Sequence, residues 1–96
     1  MQKREALKRG RPLGSRSFDP SSARAFGEVV REQRLLLGVS QEELGLRAQI
    51  ERSHMGKIER GEHVPNLSMI LRLATALSVK PGHLVDRAVE LLHLEK

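Results

Sequence analysis

The side chains with most to offer chemically lie between Ser40 and Arg60, and what they offer is recognition of a polyanion. Arg52, Ser53, Gly56, Lys57 and Arg60 fall on the outer face of a predicted helix over about Arg52 to Arg60, whose inner face carries Met55 and Ile58 three residues apart. Guanidinium, hydroxyl and ammonium groups together present hydrogen-bond donors and positive charge to whatever approaches that face. Gly61 stands just past the helix end as a C-cap. Upstream, Ser40 and Glu43 have the spacing of a capping box, so a helix starts at about Gln41 and sets Leu44 and Ala48 on one face, with Ile50 as a buried pin in a polar turn. Two short helices meeting across a tight turn, the second with a polar outward face, form the helix-turn-helix geometry that fits a major groove. Double-stranded DNA is therefore the expected ligand. Catalysis has no comparable support: His54, His63, His83 and His93 lack metal-ligand spacing, and there is no nucleophile motif or phosphate loop. No enzyme activity, metal, cofactor or small-molecule substrate is expected.

These two helices need a scaffold, and 96 residues amount to one small domain. Residues 1–20 hold six Lys or Arg against Glu5 and Asp19, a balance of +4, whereas the remaining 76 residues hold eleven basic and ten acidic groups, or +1. The basic character thus belongs to the N-terminal arm. Rich in Lys, Arg, Gly, Ser and Pro and without a sustained apolar period, that arm is expected to be disordered over residues 1–20. Asp19-Pro20-Ser21-Ser22 ends it with cap-forming residues. A helix then runs from about Ala23 to Leu37, with Phe26, Val30, Gln33 or Arg34, and Leu37 at intervals of three and four, closed by Gly38. After the loop Glu62-His63-Val64-Pro65, Asn66 caps a helix from Leu67 to Leu77 with Ile70, Leu73, Ala74 and Leu77 on one face. Ser78-Val79-Lys80 breaks it, and Pro81 opens a last helix reaching about Leu94.

The predicted fold is all-α with five helices: an arm at 1–20, a domain at 21–86 with its motif at about 41–60, and a C-terminal helix extension at 87–96. Leu84 and Val85 are expected to complete the core. Ala88, Val89, Leu91 and Leu92 then form either a homodimer interface or a helix folded back on its own domain. The absence of cysteine fits a reducing compartment, no apolar run approaches the roughly 18 residues of a membrane span, and no signal core follows Met1-Gln2-Lys3-Arg4. A cytoplasmic, nucleoid-associated protein without membrane contact is the expectation.

Arg31-Glu32-Gln33-Arg34, the run Gly38-Val39-Ser40-Gln41-Glu42-Glu43-Leu44, Ile58-Glu59-Arg60-Gly61 with Pro65, and Leu71-Arg72-Leu73-Ala74-Thr75-Ala76-Leu77 with Val79 occur in a telling order and spacing. Together they resemble the Cro/C1-type (lambda repressor-like, XRE-family) helix-turn-helix proteins over about Phe26 to Val85. The resemblance implies a compact five-helix lambda repressor-like domain in a transcriptional regulator or repressor, reading a palindromic operator as a homodimer. Carried over position by position, it implies base contacts from Arg52, Ser53 and Lys57 and phosphate contacts from Gln41, His54 and Arg60. It also implies a mostly buried ion pair between Arg34 and Glu59. The alternative for each exposed residue is an ordinary solvated helix face.

Three positions depart from the family pattern. Gln49 replaces the usual turn glycine and must either adopt a left-handed conformation at a cost or bend the turn differently. Glu51 stands where Ser or Thr usually caps the second helix; it suits the helix dipole and repels nearby phosphates. Gly56 lowers helix propensity by about 1 kcal/mol relative to Ala, and either permits close approach to the groove or has no function. In the arm, Lys8-Arg9-Gly10-Arg11-Pro12 resembles an AT-hook core, in which Arg9 and Arg11 would follow a minor groove; the alternative is nonspecific phosphate neutralisation. The competing function is that of an antitoxin or adaptor whose main partner is another protein.

Overall fold

The computed structural model describes residues 19–94. They form α1 (Pro20–Leu37), α2 (Gln41–Ala48), α3 (Arg52–Glu59), α4 (Leu67–Leu77) and α5 (Pro81–Leu94), with no strand among the described residues. The predicted all-α, five-helix fold is the observed one.

Local chemistry sets most of the helix ends. The Asp19 carboxylate accepts from the Ser21 N–H at 3.1 Å and from the Ser22 hydroxyl at 2.9 Å, and Pro20 occupies the first turn, where a missing N–H costs nothing. For that reason α1 begins three residues earlier than its apolar period suggests. It closes on Gly38 at φ +83°, a left-handed residue whose N–H returns to the Arg34 and Leu35 carbonyls. At the head of α2, Ser40 Oγ accepts from the Glu43 N–H at 3.0 Å. The expected reciprocal bond is not made, because the Glu43 carboxylate accepts from Arg47 Nε at 2.9 Å one turn on. Asn66 caps α4 through the Met69 N–H at 2.9 Å. That helix ends on Ser78 in the left-handed region at φ +62°, a conformation the sequence did not announce.

Fully buried Val29, Val30, Leu44, Met55, Ile58, Leu73 and Leu84 form the centre of one core drawn from all five helices. α1 is the spine: it packs along α5 on one side and against α3 on the other, while α2 lies between α3 and α4. Its approach to α3 is close enough to exclude a side chain. A Cβ on Gly27 would collide with the Ile58 carbonyl oxygen and lie 2.8 Å from that of Glu59.

Two apolar expectations need correction. Leu37, placed on the inner face of α1 by its spacing, is exposed at the helix end, as are Leu35 and Leu36. Val85 does not complete the core but is 47% exposed. The inward stripe of α5 runs Leu84, Ala88 and Leu91 at spacings of four and three, and Val85 is rotated about 100° away from it. Ala88 and Leu91 accordingly pack against the core, Leu92 is half-buried, and Val89 and Leu94 are exposed.

Candidate nucleic-acid interface

The interface is built around the turn that joins α2 to α3. Gln49 takes the left-handed conformation at φ +60°, the first of the two alternatives its position allows, and the Ile50 N–H bonds the Gly45 carbonyl at 2.8 Å. Gly45 has no room for a side chain, since a Cβ there would sit 2.5 Å from the Ile50 oxygen. Ile50 is buried as the pin of this turn. Glu51 precedes α3 in extended conformation and makes no side-chain cap bond.

α3 is divided by its own periodicity. Met55 and Ile58 are wholly buried and Glu59 nearly so, while Arg52, Ser53 and Lys57 are exposed and His54 half-buried. The inner edge is held by charge as well as by packing. Arg34 of α1 donates from Nε to Glu59 Oε2 at 2.7 Å and from Nη2 to Glu59 Oε1 at 3.0 Å, and its Nη1 donates to the Val39 carbonyl at 3.0 Å. The bond to Glu59 holds the Arg34 guanidinium above its ordinary pKa, against the opposing effect of burial. Gln41 joins this network, its Nε2 donating to Glu59 Oε1 at 3.0 Å. Its side chain is therefore occupied within the protein, whereas the first amides of α2 are left without helical acceptors.

Beyond α3 the contacts are of another kind. Arg60 pairs with Glu62, Nε to Oε2 at 2.9 Å and Nη2 to Oε1 at 3.2 Å, with both side chains more than half exposed. That bond lowers the Glu62 carboxyl pKa, and Arg60 and Lys57 add favourable charge. The same guanidinium lies against Gly56, where a Cβ would be 2.9 Å from Arg60 Nη1 and 3.8 Å from Gln41 Oε1. Gly56 is buried, which corrects its assignment to the open outer face. His54 meets His63 of the following loop edge to face, ring centroids 4.4 Å apart, a contact that residue spacing does not foretell. Burial, then the charges of His54 and Lys57, push the His63 pKa below its ordinary value.

The structure therefore gathers Gln41, Arg34, Glu59 and Arg60 around one end of α3 and leaves Arg52, Ser53 and Lys57 on its open face. Ala88, Val89, Leu91 and Leu92 lie on α5, outside this cluster. Arg9 and Arg11 lie outside the described residues. Among the described residues no group of three or more His, Asp or Glu could hold a metal ion, and no helix is long and apolar enough to cross a membrane.

Comparison with known proteins bears on the fold and the family. A family model described as a helix-turn-helix domain matches residues 25–88. The uncharacterized HTH-type transcriptional regulator YgzD of Bacillus subtilis is 39% identical over 51 residues, covering 53% of this chain and 77% of that protein. The crystal structure of the restriction-modification controller protein C.AhdI from Aeromonas hydrophila superposes with a TM-score of 0.65 at 41% identity, covering 67% of this chain and 97% of that one. The DNA-binding domain of the P22 C2 repressor superposes with a TM-score of 0.61 at 32% identity, covering 62% of this chain and 79% of that one.

Proposed function

The chain belongs to the helix-turn-helix domain family and is a DNA-binding transcriptional regulator; we propose that it docks α3 in the major groove and reads base edges through Arg52, Ser53 and Lys57. One observation carries this reading: these three side chains share the exposed face of a helix whose opposite face is sealed into the core and tied to α1 through Glu59. A rigidly mounted helix with free donors is what direct readout requires, and an arginine bidentate to guanine contributes about 1 to 3 kcal/mol of discrimination. Arg60, the amides at the head of α2 and His54 serve as phosphate contacts flanking it. The folded body is nearly neutral and Glu51 stands beside the docking face, so Arg9 and Arg11 of the N-terminal arm supply much of the electrostatic attraction.

A single α3 spans only a few base pairs, and two copies related by a dyad read half-sites one helical turn apart. Exposed Val89 and half-buried Leu92 on α5 support a homodimer through that helix, with Ala88 and Leu91 beneath them. Selection of bound duplexes from a random pool tests the whole reading. A palindromic consensus is expected; recovery of no consensus would reject sequence-specific recognition, and a monomer on the selected duplex would reject the dimer. In the same assay Arg52→Ala and Lys57→Ala lower affinity while leaving helicity unchanged, and a loss of helicity would return the residue concerned to a structural role.

A further inference from the structure

Gly56 is the one residue on the docking side of α3 that is both buried and without a side chain, and the first atom a Cβ there would meet belongs to the guanidinium of Arg60, one turn on. Glu62 grips the Nε and Nη2 edge of that guanidinium, while Nη1 is turned toward Gly56 and donates to no group among the described residues. Gln41 approaches the same spot from α2, its Oε1 lying 3.8 Å from where a Gly56 Cβ would stand. Three elements therefore converge on a space that exists only because residue 56 is glycine. Local stability does not account for the choice, since glycine within a helix is inferior to alanine.

We propose that Gly56 is a positioning residue for DNA binding: its bare backbone is the berth in which the Arg60 guanidinium lies, aimed by Glu62, with Nη1 free to donate to a DNA phosphate. This deepens the reading of α3 as the recognition helix and rests on it. A methyl group at position 56 would stand 2.9 Å from Nη1, closer than a carbon and a nitrogen can come. The atom it meets is the end of a flexible side chain, so the guanidinium moves aside and the fold survives. Stability and binding should then change in opposite directions, a result that damage to the fold would not give.

The test compares the full-length wild-type chain with Gly56→Ala, Arg60→Ala and the double variant on the tightest duplex recovered by the selection described above. Gly56→Ala is expected to melt no lower than the wild type, to bind several-fold more weakly, and to flatten the salt dependence of binding, as removal of Arg60 does by about one unit of slope. In the Arg60→Ala background the same substitution should cause no further loss. Unchanged affinity and slope in Gly56→Ala, or an equal loss with and without Arg60, would overturn the proposal while leaving α3 as the recognition helix. A selection that recovers no duplex removes both.

Discussion

Arg34–Glu59 and Arg60–Glu62 are nearly the same object in two settings. Each joins Nε to Oε2 and Nη2 to Oε1 of a single carboxylate, at 2.7 and 3.0 Å in the first pair and 2.9 and 3.2 Å in the second. The side chains of the first pair are 11% and 3% exposed, those of the second 59% and 52%. Bond geometry therefore does not separate their roles; solvent does. In the buried pair, losing one partner strands a charge that water cannot reach. In the exposed pair water replaces either partner at little cost, so losing Glu62 leaves the fold intact and changes only how Arg60 is aimed. The residues sit at neighbouring positions in the chain, 59 and 60, where a 3.6-residue turn sends one side chain inward and the next outward.

The sharpest test of this contrast is Glu59→Ala. It strands the Arg34 guanidinium and removes the acceptor for Gln41, and should cost about 3 to 5 kcal/mol in chemical denaturation. A double-mutant cycle with Arg34→Ala should recover much of that loss as coupling. A loss no larger than that of an ordinary surface substitution would erase the distinction between the pairs. Gly27→Ala approaches the same seam from α1. Its methyl group would meet the backbone oxygens of Ile58 and Glu59, which cannot swing away, so α1 must back off from α3. An overpacking loss of about 1 to 3 kcal/mol is expected, together with weaker DNA binding because α3 loses its mount. Here stability and binding fall together, unlike in Gly56→Ala, and the two glycines thus report on the two sides of α3.

The contrast also explains what could be read from the sequence. Asn66, Pro81 and Gly38 terminate helices through bonds or dihedrals belonging to a few adjacent residues, and so their types revealed their roles. The exposed face of Arg52, Ser53 and Lys57 follows from helical period alone. Left-handed Ser78 could not be read, because its local closure, with the Val79 N–H on the Ala74 carbonyl at 3.0 Å, is of the kind that glycine usually marks in a sequence. Val85 was misplaced because α5 is apolar at adjacent positions, and only packing against α1 selects which stripe faces in. Gly27, Gly45 and Gly56 all meet atoms from outside their own helical turn or across the motif's turn, contacts created by folding. Gln41 likewise turned out to bond Glu59, eighteen residues away.

A smaller effect is expected for Glu62→Gln. The neutral amide keeps the shape but loses the charge that holds Arg60, and the exposed pair should contribute nothing measurable to melting. Binding should nevertheless change. With one acidic group fewer beside the phosphates but Arg60 no longer aimed, affinity for a mixed-sequence duplex rises while affinity for the selected one falls, and the specificity ratio narrows. A melting change comparable to that of Glu59→Ala would show that solvent exposure does not separate the pairs.

The weakest expected signal comes from His63, which shares this surface but faces cationic neighbours in place of a carboxylate partner. Burial and the charges of His54 and Lys57 set its folded-state pKa below the 6.5 of an unperturbed histidine. The unfolded chain therefore takes up the proton first on acidification. Stability is intact above about pH 6.5 and falls as the pH drops through the folded-state value. Solvent reaches the half-buried ring, so the loss should be well under the roughly 1.4 kcal/mol that a full pKa unit carries. Urea midpoints at pH 7.5 and 5.5 should shift more in the wild type than in His63→Asn. Equal shifts would mean that the His54–His63 contact adds no pH dependence of its own.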